Sequence, residues 1–193
     1  MAGFGGVSAV SRSLERLLNL AFANGQPIAE APTKAVLIRT EDFDLVQHSE
    51  IHFPALSLLL YRVDFDKSMR ASWSARGAED GRSYLPLDLH YLLTAWADNA
   101  EHEHRIVGRT LQVLENVSVL SGPLLDPSGE WEPDEGVPLV LEDLSTVDLM
   151  RTFEALSVDF RLSIPYVARV VVIAGPADMP PADILTVVTG ARL

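Results

Sequence analysis

"YLPLDLHYLLTAWADNAEHEHRIVGRTLQVLENVSVLSG", residues 84–122, reads as a strand followed by a helix. In its first part Leu85, Leu87, Leu89, Tyr91 and Leu93 alternate with Pro86, Asp88, His90, Leu92 and Thr94. That period of two predicts a β-strand over 83–97, with Pro86 near the start, where a missing ladder donor costs least. The period then lengthens. Ile106, Val107, Thr110, Leu111, Leu114 and Val117 form one stripe of a helix over about 99–116. Asp98 reads as its N-cap and Glu101 as the N3 partner of a capping box. Glu101 and Glu103 fall in the first turn, where the helix dipole favours carboxylates.

Glu101-His102-Glu103-His104 also has the residue types of a metal or acid/base site. The helix argues against it. Residues two apart point about 200° apart, so His102 and His104 cannot share one ion. Glu101 pairs instead with Arg105, four residues on. "HSEIH" sets His48 and His52 at i and i+4, a spacing that on a helix could share a metal. Pro54 disfavours helix just before it, and the segment lies between two strands. His90 and Asp88 could form an orienting pair on one strand face, but no G-x-S-x-G elbow supplies a nucleophile. "GFGG" (3–6) precedes a helix without a strand before it or the lysine of a phosphate loop, and reads as flexible. Trp73, Trp96 and Trp131 are too scattered for a stacking platform.

Around the central unit, Val7, Val10, Leu14, Leu17, Leu18 and Ala21 predict an amphipathic helix over 7–23, stopped by "NGQP". "KAVLIR" (34–39) and "ALSLLLYRVDFD" (55–66) read as strands, the second apolar on both faces and hence central. Residues 123–143 read as a turn-rich, solvated excursion. Ser145 and Asp148 predict a capping box, with Leu144 and Leu149 as a staple, for a helix running to Leu156. "IPYVARVVVIAG" (164–175) is a last long strand, and 176–193 a Pro-rich linker with an apolar tail. The interspersed elements predict a single α/β (α+β) domain. Its sheet is mixed, mostly antiparallel and flanked by helices, with the domain over 1–175 and an arm over 176–193.

Composition bounds the function. The chain has 193 residues, 48% of them hydrophobic, which is enough for a substantial core. Its net charge of −12, with Lys34 and Lys67 as the sole lysines, disfavours nucleic acid as a partner. From Thr110 to Met150 there is no lysine or arginine at all. With no cysteine, disulfides and thiol chemistry are excluded. No apolar run is long enough for a membrane span, and the first residues lack a signal-peptide pattern. These readings converge on a soluble, cytoplasmic, non-enzymatic domain with no cofactor, metal or catalytic residue. The rival readings are a small metal-dependent hydrolase using His48 and His52, and a monomeric adaptor.

One resemblance sharpens this. "LPLDLHYLLTAWA", a polar helix start, "RIVGRTLQVLEN" and "VLSG", in that order, resemble the N-terminal domain of cap (tail terminator) proteins from extracellular contractile injection systems. These are phage-tail-like particles of the antifeeding-prophage and virulence-cassette type. "VSAVSRSLERLL" is similar to the family's opening helix, and "LSIPYVARVVVI" to its closing strand. Ser118 departs from the pattern, in which a proline precedes "VL".

The resemblance implies a tail-terminator-like fold and a structural role. It implies a ring, expected to be hexameric, at the baseplate-distal end of tube and sheath. Sheath and inner-tube subunits would be its partners. It also implies strand addition by terminal arms. Ile184, Thr186 and Val188, alternating with Leu185, Val187 and Thr189, suit such an arm.

Overall fold

The computed structural model describes residues 1–43, 51–156 and 159–175. His48 and the candidate arm residues Ile184, Leu185, Thr186, Val187, Val188 and Thr189 lie outside these described residues.

Strand β3 (Tyr84–Trp96) is the centre of the sheet. It pairs antiparallel with β2 (Ala55–Phe65) on one side and with β6 (Ser163–Ala174) on the other. Strand β1 (Lys34–Ile38) joins β2 in parallel. Beyond β6, β5 (Gly136–Leu141) and then β4 (Val119–Ser121) add antiparallel. Among the described residues the order is β1-β2-β3-β6-β5-β4, a mixed and mostly antiparallel sheet, as the alternation led us to expect. Helices α1 (Gly6–Asn24), α2 (Arg70–Asp80), α3 (Ala100–Asn116) and α4 (Thr146–Leu156) complete the domain.

Because side chains alternate along a strand, β3 feeds two cores. Leu87, Leu89, Tyr91, Leu93 and Ala95 pack with Val10, Leu14, Leu18 and Phe22 of α1 and with Ile106, Val113 and Leu114 of α3. On the opposite face Leu92 and Trp96 pack with Phe43 and with Phe153 of α4. Burial on both faces leaves the polar tips inside needing partners. The Trp96 Nε1–H donates to Ser57 Oγ at 2.8 Å. The Tyr91 hydroxyl meets Ser11 Oγ at 2.8 Å, and burial pushes its phenol up to about 12.

Several expectations change here. Leu85 has the right parity for the first core but is exposed, because β2 stops pairing at Phe65, opposite Leu87. Strand β2 is buried on both faces only in its first half; the second half is exposed. The α3 N-cap is Asn99, not Asp98. Its side chain accepts from the His102 N–H at 2.9 Å, which moves Glu101 off the N3 position. Val113 joins the buried stripe, and Leu111 is only partly buried. Helix α2 had no clear apolar stripe to announce it. It ends on Gly81 at φ 73°, the left-handed cap that glycine adopts at low cost.

The excursion over 123–143 is not merely solvated loop. It contains β5, whose Val137 and Leu139 enter the first core, and it buries Leu125. Its acidic run is anchored by α1. Arg12 lies 3.5 Å from Asp126, Ser13 Oγ accepts from the Asp126 N–H at 2.7 Å, and Arg16 donates to the carbonyls of Pro123 and Leu124. The α4 start is as the sequence indicated: Ser145 Oγ accepts from the Asp148 N–H at 3.1 Å and donates to its carboxylate at 2.7 Å.

The two-core arrangement predicts unequal costs. Leu89 is fully buried on β3, so Leu89→Ala should lose about 2–5 kcal/mol of unfolding free energy. Leu111→Ala, at a partly buried position, should lose clearly less. Chemical denaturation of both variants checks this, and equal losses would contradict the assignment of the α3 inner face.

Candidate docking surface

Helix α4 covers only the Leu92–Trp96 end of the second sheet face. Toward the other end the same face is charged. His90 and Asp88 on β3 lie beside Arg62 and Asp64 on β2, with Arg169 from β6, Glu142 just after β5 and Asp66 just after β2. The β2 bulge between Leu60 and Arg62 sets Arg62 opposite His90 and Asp64 opposite Asp88. A cleft of about 530 Å³ opens among Asp64, Phe65, Asp66, Asp88, His90 and Arg169.

Two aspartates directly opposite across a ladder repel, and each has an arginine to offset this. Arg62 Nε sits 2.9 Å from Asp64, and Arg169 Nε 3.7 Å from Asp88. His90 is buried between carboxylates. Its Nδ1 is 2.9 Å from Glu142 Oε1 and its Nε2 is 3.4 Å from Asp64 Oδ2. Arg62 Nη2 reaches the same Glu142 oxygen at 3.0 Å. The Tyr61 hydroxyl donates to the other at 3.1 Å, and burial, helped by the Glu142 charge, pushes that phenol up to about 12. The pairing of His90 with Asp88 that the sequence allowed is not the one made. Strand neighbours two apart share a face, but the partners of His90 come from β2 and from the end of β5.

Asp88 instead serves the second bulge. Arg169 and Val170 together face it, and Val170 has φ 55°. A β-branched residue in that region costs about 1–3 kcal/mol. The Asp88 carboxylate accepts the Val170 N–H at 3.2 Å and so holds the distortion. The bulge presents Arg169 to Asp66, at 3.2 Å. Asp66 also accepts from the Ser68 hydroxyl and from the N–H groups of Ser68 (2.8 Å) and Met69 (3.0 Å). The Ser68 hydroxyl leads in holding its carboxyl below the usual range. The two N–H groups and Arg169 act the same way, against the opposing effect of burial.

The other sequence candidates stand apart from this face. On α3, His102 contacts Asn99 and His104 is exposed, while Glu101 pairs with Arg105 at 2.8 Å as the spacing required. His52 is exposed beside the cis Phe53–Pro54 bond. In "GFGG" the glycine backbones lie against the 126–131 segment, while Phe4 is exposed. Gly3 N–H donates to Gly129 O at 3.1 Å, and a Cβ on Gly5 would come 2.7 Å from Ser128 O. The glycines admit close backbone approach, not a phosphate.

Chemically, Arg62 and Arg169 are each paired with carboxylates, and Asp64, Asp66, Asp88 and Glu142 leave the charged face with an excess of acidic groups. Both His90 nitrogens are engaged by carboxylates and Arg62, so the ring does not face a nucleophilic hydroxyl. Among the described residues no three His, Asp or Glu side chains are grouped to hold a metal. Likewise, no described helix is long and apolar enough to cross a membrane. What faces solvent is a set of half-exposed charges, Arg62, Asp64 and Arg169, held in fixed positions. Charges fixed in this way are suited to a surface of complementary charge. Sequence reasoning missed it, although "YRVDFD" (61–66) puts Arg62, Asp64 and Asp66 at alternate positions, the signature of one charged strand face.

The architecture is that of a tail-terminator-like α/β domain. Over 87% of its length the chain matches 56% of a chain in the cryo-EM structure of an extracellular contractile injection system, the PVC sheath/tube terminator in extended state, with a TM-score of 0.55 and 18% identity. Over 86% it matches 54% of the anti-feeding prophage cap, a tube-terminating cap, with a TM-score of 0.51 and 20% identity. The chain thus spans little more than half the length of each. It belongs to the Pvc16 N-terminal domain family, whose model matches residues 9–186. No curated protein matches the sequence.

The lowered Asp66 carboxyl has a signed consequence. A depressed folded pKa stabilises the fold above the usual aspartate value, about 3.9, and that contribution is lost as pH falls through the folded value. Asp66→Ala should therefore cost about 1–3 kcal/mol near neutrality. The gap to wild type should narrow on acidification below the usual aspartate range. Denaturation curves across pH check this, and a gap that stays constant down to strong acid would contradict it.

Proposed function

We propose that this chain is a structural cap, a tail terminator, of a contractile injection system. It sits at the baseplate-distal end of tube and sheath and ends their polymerisation. The observation that carries this reading is membership of the Pvc16 N-terminal domain family over nearly the whole chain. The fold likeness to two tube- or sheath-terminating proteins supports it.

The working unit is a ring, hexameric to match the tube, with sheath and inner-tube subunits as partners. Ring contacts between identical subunits are heterologous and close by rotation. Each should bury on the order of 1,000 Å² or more. The net charge of −12 argues against nucleic acid, and the role requires no membrane, cofactor or catalysis. The ring forms in the cytoplasm as part of the assembling particle. Residues 1–175 form the capping domain and 176–193 an arm, whose Ile184 to Thr189 segment adds to a neighbouring sheet.

The test is deletion of the coding sequence in a producing strain, followed by electron microscopy. Sheath and tube subunits should still be made, while particles become overlong, ragged, precontracted or absent. Uniform, extended particles from a strain without a second cap gene would contradict the proposal. A shorter deletion of 184–193 addresses the arm alone: it should weaken capping while the domain stays folded.

A further inference from the structure

The outer edge of β1 is closed by this chain's own side chains. In a strand, successive residues turn their backbone N–H and C=O groups to opposite sides. Lys34 turns toward β2, donating its N–H to Pro54 O at 3.4 Å. Thr33, Ala35, Leu37 and Arg39 therefore turn outward, to the side where the sheet ends among the described residues. An unpaired row of this kind is a template for a strand from another molecule.

Here all four outward N–H groups are occupied. Thr33 donates to Gln26 Oε1 at 2.9 Å, Ala35 to Asn19 Oδ1 at 3.0 Å, Leu37 to Glu15 Oε1 at 3.1 Å and Arg39 to Asp42 Oδ2 at 2.7 Å. Asn19 completes the pattern by donating its Nδ2–H to Ala35 O at 2.9 Å. Two of the blocking residues, Glu15 and Asn19, lie four apart on α1 and so share one helical face. Gln26 follows that helix, and Asp42 sits in the short 3₁₀ turn Thr40–Phe43 just beyond β1.

We infer that Glu15, Asn19, Gln26 and Asp42 form an edge-sealing set that forbids strand addition at β1 by another subunit. The sealing stands on this geometry. Its use, to keep the unit from templating further growth, rests on the cap reading. A strand offered by a neighbour then has to join the sheet elsewhere.

Purified full-length protein tests the seal apart from the cap role. Glu15→Ala with Asn19→Ala frees Ala35 and Leu37. A folded double variant should associate beyond the wild-type assembly, its light-scattering mass rising at least about twofold with concentration. Glu15→Gln, which keeps an acceptor, should match wild type. A folded double variant whose mass equals wild type at all concentrations overturns the seal and leaves the cap reading untouched. Should the double variant not fold, Asn19→Ala alone decides by the same criterion, since it removes both bonds to Ala35 and spares the other three. Normal particles from the gene deletion would remove the cap reading and leave the seal in place.

Discussion

The domain depends on one strand being buried on both faces. Strand β3 contributes Leu89, Tyr91 and Leu93 to the core under α1 and α3, and Leu92 and Trp96 to the core under α4. A strand in that position cannot slip register, because a shift of one residue would exchange the two cores. It also fixes its neighbours, since β2 and β6 pair along nearly its whole length. The α1 helix, held on one core, reaches the acidic excursion through Arg12, Ser13 and Arg16 and the β1 edge through Glu15 and Asn19. A helix that packs on the sheet thus also anchors the connection from β4 to β5 and closes one sheet edge.

Where α4 ends its cover, the same sheet face becomes a surface. Bulges in β2 and β6 bring Arg62, Asp64, Asp88, His90 and Arg169 together on one side, and Glu142 completes the pairing. The strained Val170 backbone lies in this network, held by Asp88. The distortion sits between core residues, Leu87, Leu89, Ala168 and Val171, and turns Arg169 out to the polar cleft. A face of charges fixed by ion pairs, with carboxylates in excess, suits a surface of complementary charge.

Local pattern made the frame legible. The alternation in β3, the stripes of α1 and α3 and the Ser145–Asp148 box concern residues within a few positions of one another, and they placed the elements, with single residues such as Leu85 and Leu111 corrected by the structure. Apart from the α3 cap, one residue off at Asn99, and α2, whose apolar stripe is weak, what failed to read was non-local. The partners of His90 are 26 and 52 residues away, so neighbouring Asp88 looked like the natural choice. Strand β5 carries Gly136 and Pro138 among acidic turn residues, and only pairing with β6 and β4 reveals it. The four acceptors along β1 come from two segments flanking it, and no periodicity links them. "GFGG" read as flexible because its contacts, Gly129 and Ser128, are more than 120 residues distant. The family, unlike the role of any single residue, was legible from the ordered motifs over most of the chain.

A protein that ends a polymer has to be found at the end. The most direct measurement is cryo-EM of intact particles from the native strain, with the map resolved separately at the baseplate, along the shaft and at the distal end. If the chain caps the particle, the domain with its two-faced β3 should stand in a closed ring on the last tube and sheath layer. The account also predicts that no neighbouring strand is added along β1. Density for this domain along the shaft or within the baseplate, with a different protein closing the distal end, would contradict it.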